Sequence, residues 1–462
     1  MTVPAIKKLV FVNTILLFCL QKVLNYQLFN VYGNVHQKPI VGDPGKPLFL
    51  TPLIEQNKIK QAKQSARVNP DKFLGVKSYS GYLTVSDFYD SNLFFWFFPS
   101  ENNYERDPVI LWLQGMIGGT SLFGLFMENG PFSLNADLQL VPRNYSWTKN
   151  HSVLYIDNPV GSGYSFTNGG YAKNQTQIGK DLYNALQQFF KLFSELREND
   201  FFIIGESYAG KYVPAIGYTI LKENPKAKSK INLRGTGYSD PIHQIDYSDY
   251  LYQLGILDWH GKKLFKEKEN KVAKLITEEK YVKALHKLPL NTKLMYNTTG
   301  YENLYNYLQP QQRLDLDILF TFVQRAAVRA AIHVGDSRFS SGFNVYRYLE
   351  SDIMKSVAPW ISELLSNYRM LFYNGQLDIV CAYPMMENVF YNLNFDAAEQ
   401  YKTARRVTWS GENDLLLLKG YIKHSGNLTE AFIRAAGHFV PIDQPESTYD
   451  LIHKFIRNEL PH

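Results

Sequence analysis

Phe201-Phe202-Ile203-Ile204-Gly205-Glu206-Ser207-Tyr208-Ala209-Gly210-Lys211-Tyr212 is an apolar run that stops at a small residue, presents a serine and passes into a helical pattern. This is the sequence form of a nucleophile elbow, in which a buried strand ends in a sharp turn that holds the serine hydroxyl above the sheet edge. Gly205 and Ala209 leave room for the backbone to turn that tightly. A five-residue pattern with alanine in place of its last glycine also arises at ordinary strand–helix turns. Residues further along the chain must therefore decide between the two.

A serine hydroxyl is a poor nucleophile until a histidine takes its proton, and that histidine needs a carboxylate to fix its tautomer and stabilise the imidazolium. Two later segments meet this need. In Leu371-Phe372-Tyr373-Asn374-Gly375-Gln376-Leu377-Asp378 an apolar strand runs into a loop that carries Asp378. In Arg434-Ala435-Ala436-Gly437-His438-Phe439-Val440-Pro441 a late strand ends in a small-residue turn that presents His438. Taken singly, a loop aspartate is usually a turn former and a histidine among apolar residues a structural one. The order Ser207, Asp378, His438, each at a strand end, is that of α/β-hydrolases.

That fold needs two backbone N–H groups for an oxyanion, one from the residue after the nucleophile and one from the loop after an earlier strand. Tyr208 supplies the first. The second is expected in Gln114-Gly115-Met116-Ile117-Gly118-Gly119-Thr120-Ser121, after the strand Val109–Leu113. This glycine-rich loop lacks the Lys-Ser/Thr ending of a phosphate loop, and Gly161-Ser162-Gly163 lacks the third glycine of a dinucleotide fingerprint. No His/Cys/Asp/Glu cluster has metal-ligand spacing, so neither a metal nor a cofactor is expected.

Elsewhere apolar runs alternate with helical patterns. Strands are predicted at Gly81–Val85, Leu93–Phe98, Val109–Leu113, Val153–Ile156, Phe201–Ile204, Met370–Tyr373 and Ala431–Ala435. Amphipathic helices are predicted at Ile178–Leu192, Tyr208–Glu223, Ile353–Leu365 and Ser447–Arg457. The alternation predicts an α/β fold with a mostly parallel central sheet. The rhythm breaks at about 247–336, where charged helices and the Tyr/Asn-rich segment Tyr296–Tyr307 read as an inserted helical cap. The expected division is a signal peptide at 1–24, an N-terminal arm at 25–75 whose Gly42–Pro70 stretch reads as extended, and an α/β-hydrolase domain at 76–462.

With 462 residues, 45% of them hydrophobic, the chain can bury a large core. Its 49 basic and 43 acidic residues are spread along the whole length, so the net charge of +6 marks no nucleic-acid footprint. The densest charged stretch, Lys266–Lys287, spaces its apolar residues as a solvated helix does. Lys7 and Lys8 followed by apolar Leu9–Leu20 have signal-peptide anatomy and are too short to span a membrane. Sequons at Asn144, Asn150, Asn174, Asn297 and Asn427 suit a secreted or lysosomal protein with no membrane association after signal removal. The only cysteines are Cys19 and Cys381, so a processed chain forms no internal disulfide. Cys381 reads as a buried small hydrophobe.

The blocks Trp112-Leu113-Gln114-Gly115, Ile156-Asp157-Asn158-Pro159-Val160-Gly161-Ser162-Gly163-Tyr164-Ser165, Gly205 to Tyr212, Tyr373 to Asp378 and Ala436 to Pro441 resemble serine carboxypeptidases. Gly81-Tyr82-Leu83-Thr84-Val85 and Leu93-Phe94-Phe95-Trp96-Phe97-Phe98-Pro99 are similar to the vitellogenic carboxypeptidase-like branch. The resemblance runs from about Gly42 to the end. It implies release of C-terminal amino acids from peptides or proteins with a free C-terminus, through an acyl-enzyme. It implies that Ser207, Asp378 and His438 form the triad and that Gln114, Gly115, Glu128 and Glu206 bind the substrate carboxylate. If those carboxyls crowd together they must share a proton, so activity is expected to favour acidic pH.

Three departures stand out. Where the family carries Gly-Gly-Pro-Gly, this chain has Gly115-Met116-Ile117-Gly118, which puts Met116 at the second oxyanion donor. If that residue has φ > 0, methionine costs roughly 1 kcal/mol or more in strain and adds bulk at the substrate entrance. Leu233-Arg234-Gly235-Thr236-Gly237-Tyr238 reads as a shortened strand before Asp240-Pro241, and the family's disulfide cysteines are missing. Two alternatives stay open: a catalytically weakened secreted relative that acts as a peptide-binding or interaction protein, and an acyltransferase or esterase on the same scaffold. A homodimer is one option for the assembly.

Overall fold

The computed structural model describes residues 39–461 apart from 239–244, 291, 312–315 and 412–416. The candidate signal peptide with Cys19, the first part of the arm, and Asp240-Pro241 lie outside the described residues. The unbroken apolar runs come from strands covered on both sides. Along the strand Ser91–Phe98, Phe95 and Phe97 belong to one hydrophobic cluster, and Phe94, Trp96 and Phe98 to the cluster on the opposite face. Val109–Leu113 and Phe201–Gly205 alternate in the same way. A strand buried on both faces needs apolar residues at every position, which hides the usual alternation of period two.

The main sheet has eleven strands. In chain order they are β1 (Arg67–Val68), β2 (Ser78–Ser86), β3 (Ser91–Phe98), β4 (Val109–Leu113), β5 (Ser152–Ile156), β6 (Phe201–Gly205), β7 (Leu233–Tyr238), β8 (Arg369–Gly375), β9 (Val407–Ser410), β10 (Leu418–Ser425) and β11 (Leu428–Ile433). They lie in the order β1-β2-β3-β5-β4-β6-β7-β8-β11-β10-β9. The run from β5 to β11 is parallel, and both flanks are antiparallel. Because the central strands are parallel, their C-terminal ends share one edge, where ligands bind in α/β folds.

Three sequence expectations are corrected. The Gly42–Pro70 stretch is not extended: it holds the helices α1 (Thr51–Glu55) and α2 (Ile59–Ser65) before β1. Leu50, Ile54, Ala62 and Ala66 are buried at four- and eight-residue spacing, a helical period diluted by lysine and glutamine. The helix expected at Ile353–Leu365 starts only at Ala358, where Pro359 is a helix initiator. The strand expected at Ala431–Ala435 ends at Ile433, and Ala435 turns away at φ 58°. The strand before Asp240 covers the same six residues, Leu233–Tyr238, that the sequence marked, and β7 pairs with both β6 and β8. The edge strand β9 and its neighbour β10 escape a reading by period because their pattern is half-polar.

The helices that position the site are α3 (Gln175–Leu192) and α4 (Ala209–Glu223). Asn174 caps α3 by accepting the Gln177 N–H (2.9 Å). The described chain between β7 and β8 is mostly helical, and part of it, with Leu251, Leu257, Phe265, Leu290, Met295 and Leu304, shares a hydrophobic cluster with Ile379, Ala382 and Met385 after β8.

Candidate active site

Backbone register assembles the acidic half of the site. Leu113 of β4 pairs with Gly205 of β6, so the next residues, Gln114 and Glu206, leave the sheet side by side. The Gln114 amide donates to Glu206 Oε1 and to Glu128 Oε1, 3.1 Å each, and its oxygen accepts the Trp112 indole N–H (2.9 Å). Glu128 comes from a π-helical turn, Gly124–Asn129, which Arg143 holds by donating to the Phe126 carbonyl (2.6 Å) and to that of the following Gly130 (3.0 Å). All three polar side chains are buried. Burial lifts the Glu128 carboxyl to about 7, against the opposing pull of its hydrogen bonds to Glu206 and Gln114.

The elbow is built by close approach. Ser207 has φ 58°, a left-handed conformation that a non-glycine residue adopts at a cost of about 1–3 kcal/mol when its surroundings impose it. Those surroundings leave no slack. A Cβ on Gly205 would lie 2.6 Å from Ala209 Cβ and 2.7 Å from the Leu113 carbonyl. A Cβ on Gly115 would lie 2.2 Å from the Glu206 carbonyl and 2.6 Å from Ser207 Cβ. Gly115 thus lets the second loop lie directly on the elbow. Among the described residues, no hydrogen-bond partner takes the Tyr208 or the Met116 N–H.

Met116 has φ 49°, so the strain anticipated from its sequence position is present. Its bulk lies elsewhere than anticipated: the residue is 4% exposed and belongs to the hydrophobic cluster with Phe123, Trp112 and Phe439. The far end of the loop is anchored by Asp157, which is buried and accepts from Thr120 Oγ1 (2.6 Å), the Ser121 N–H (2.8 Å) and the Tyr164 N–H (2.7 Å). This explains why the Ile156–Ser165 block accompanies the glycine-rich loop.

Asp378 follows β8 and His438 follows β11, two adjacent parallel strands. His438 Nδ1 and Asp378 Oδ2 lie 2.8 Å apart, with both residues buried, while Ser207 is partly exposed. Cys381 is not the fully buried hydrophobe expected: it is half-exposed, its N–H donates to Asp378 Oδ1 (3.2 Å), and its sulfur lies within 4.8 Å of the Asp378 and His438 side-chain donors. Sequence spacing did not foresee this group of three metal-capable donors. The 2.8 Å contact already couples the histidine to the carboxylate, which suits proton transfer.

The Tyr/Asn-rich segment carries contacts that the sequence did not disclose. The Tyr305 carbonyl accepts the His438 N–H (2.7 Å), and its ring packs against the imidazole at 5.1 Å. The Tyr307 N–H donates to Leu377 (2.9 Å), and the Ile379 N–H donates to Leu304 (3.1 Å). Asn306 donates to Asp443 Oδ2 (3.1 Å), which also accepts the Gly437 N–H (2.7 Å). Tyr250 donates to the Asp378 carbonyl (3.1 Å). Asn144, Asn174, Asn297 and Asn427 are exposed and scattered, whereas Asn150 is half-buried and donates to the Tyr449 hydroxyl.

A serine on an elbow and an Asp–His pair at the same sheet edge define the α/β-hydrolase class. The profile of the serine carboxypeptidase family matches residues 69–458, and the chain belongs to that family as a serine-type carboxypeptidase. It is 46% identical to the venom serine carboxypeptidase of Apis mellifera, over 93% of this chain and 95% of that one. It is 44% identical to the vitellogenic carboxypeptidase of Aedes aegypti (90% of each) and 42% identical to the probable serine carboxypeptidase CPVL of Homo sapiens (92% and 93%). Among solved structures, it superimposes on Kex1Δp, a prohormone-processing carboxypeptidase from Saccharomyces cerevisiae, with a TM-score of 0.75. That match has 22% identity and covers 86% of this chain and 96% of that one, so it bears on the fold alone. No helix of the described residues is long and apolar enough to cross a membrane.

Proposed function

We propose that Ser207 is the nucleophile, His438 the general base and Asp378 its orienting carboxylate, in an enzyme that removes the last residue from peptides with a free C-terminus. The observation that carries this is the buried Gln114–Glu128–Glu206 cluster, one residue from Ser207. Two neighbouring buried carboxyls cannot both ionise cheaply. The proton retained on Glu128 makes the pair a hydrogen-bond donor, which is what an incoming carboxylate requires.

In the reaction, His438 takes the Ser207 proton as Oγ attacks the last peptide carbonyl, and the Tyr208 and Met116 N–H groups receive the oxyanion. The imidazolium, stabilised by Asp378, then gives its proton to the leaving amine. The C-terminal amino acid departs, and water, activated by His438, releases the acyl group. Gln114, the Gly115 backbone, Glu128 and Glu206 hold the terminal carboxylate. Raising the pH through about 7 strips the proton from Glu128 and opposes that carboxylate with like charge, so binding weakens.

A peptide with a free C-terminus and its C-terminal amide, compared at about pH 5 and pH 8, test the reading. Cleavage only of the free acid, best at the lower pH and abolished in Ser207→Ala, is expected. Equal cleavage of both peptides at both pH values refutes the carboxylate site, and activity surviving in Ser207→Ala refutes the nucleophile. Entry to the secretory route, with secretion or lysosomal delivery, is part of the proposal. The exposed sequons and the names of the venom and vitellogenic relatives support it.

A further inference from the structure

Lys211 lies on α4, one helical turn after Ser207, and is 1% exposed. Its ammonium donates to the Asp352 carbonyl, to Asp352 Oδ2 (3.3 Å) and to the Ile353 carbonyl (3.1 Å). Asp352 sits, also buried, on the turn after the helix Phe343–Leu349, on the way to β8. The same Oδ2 accepts the side-chain amide of Gln175, the first residue of α3, at 2.9 Å. That amide nitrogen also lies 3.4 Å from the Tyr208 hydroxyl. The Tyr208 ring is packed edge-on against Tyr212 (5.1 Å) and lies 5.8 Å from the Lys211 ammonium. Side chains from α3 and α4 therefore converge on one carboxylate of a third, distant segment. The residue at the end of this chain of contacts is Tyr208.

A buried ion pair is a poor device for stability, because desolvation offsets most of its Coulombic attraction and an apolar pair of similar volume is often as stable. Lys211 shows that cost directly: burial lowers its pKa to about 8 even with Asp352 beside it. What the pair supplies is direction. The ammonium meets three oxygens of fixed position, and the carboxylate meets two donors from different helices.

We propose that Lys211, Asp352 and Gln175 are positioning residues for the oxyanion hole, fixing the Tyr208 side chain and the first turn of α4 so that the Tyr208 N–H is aimed at the developing oxyanion. The proposal rests on the reading of Tyr208 as an oxyanion donor beside Ser207. A contact of that kind strengthens only in the transition state, so its loss lowers kcat more than it alters KM. A misplacement on the order of 1 Å costs about a hundredfold in rate.

The full-length enzyme with Lys211→Met and Asp352→Leu together removes both charges, so neither ion is left buried without its counter-ion. It is expected to fold, with its midpoint of thermal unfolding near that of the parent, and to lose about tenfold to a hundredfold in kcat with KM changed less than about threefold. Lys211→Arg, which keeps a cation there, is expected to recover most of the rate. Lys222→Met, which breaks the exposed Lys222–Glu363 pair on the same helix, serves as the control with unchanged kinetics. A folded double variant with parental kcat overturns the proposal, as does a loss carried equally by KM. If the double variant does not fold, Gln175→Leu takes its place, since it keeps the Lys211–Asp352 pair and cuts the bonds from α3 to Asp352 and to Tyr208. Parental kcat in that variant overturns the proposal too. Activity in Ser207→Ala would instead refute the site itself, which keeps the two failures apart.

Discussion

Replacing Met116 by glycine separates strain from packing in the loop that lies on the elbow. At φ 49° an L-residue is held at a cost of about 1–2 kcal/mol that glycine does not incur. The same substitution deletes a side chain that is 4% exposed in the cluster with Trp112 and Phe439, and emptying a buried methionine site costs about 2–5 kcal/mol. The packing loss matches or exceeds the strain relieved, so Met116→Gly is expected to be less stable by up to about 4 kcal/mol. Unfolding entropy of roughly 2 cal/mol/K per residue over a chain of this length converts this to a fall of up to about 4 °C in melting temperature. Catalysis should respond differently. The backbone N–H remains and the methionine side chain does not occupy the cleft, so kcat/KM for a short peptide is expected to stay within about threefold of the parent. Calorimetry and steady-state kinetics on the same preparations measure both quantities. A gain of about tenfold or more in kcat/KM, or a higher melting temperature, would refute the reasoning. Either result would mean that Met116 obstructs substrate or that its burial is worth less than its strain.

Glu128→Gln mimics the protonated carboxyl, so KM should lose most of the rise with pH that the parent enzyme shows as pH passes through about 7. A parental profile in that variant would assign the titration to another group. The sign for stability comes from the same shift. Folding raises the Glu128 pKa above its unfolded value, so its contribution is fullest below the unfolded pKa and is withdrawn as pH rises through about 7. Gly115→Ala puts a methyl group 2.2 Å from the Glu206 carbonyl and should cost at least about a hundredfold in kcat, read by steady-state kinetics on folded protein. Site-resolved mass spectrometry should find Asn150 unmodified, because its amide is engaged by Tyr449 and the His151-Ser152 pair after it is buried, while the exposed Asn144 and Asn297 are open to a glycan.

Whatever depends on neighbours in sequence was legible along the chain. A strand covered on both faces must be apolar at each position, so β3, β4, β5, β6 and β8 announced themselves. An elbow needs small residues on either side of its serine, and a catalytic loop needs a turn after a strand. Ser207, Asp378, His438 and the loop at Gln114 were therefore visible one by one, and their order named the fold. The half-polar strands β9 and β10 and the lysine-diluted helices α1 and α2 did not carry so clean a period.

Tertiary structure alone decided how those pieces act on one another. Strand register brought Gln114 beside Glu206, and the π-helical turn brought Glu128 to both, so that burial holds a proton there. The segment around Tyr305 and Asn306 is unusual in sequence only by composition, and its hydrogen bonds to the Asp378 and His438 loops exist only in the folded chain. Met116 could be identified from sequence as a strained residue, but only packing determined that its side chain turns into the core. Lys211 stands in the elbow motif itself, yet its partner Asp352 is 141 residues away. Local chemistry is written in consecutive residues, whereas burial, shared protons and contacts across such separations exist only once the chain has closed on itself.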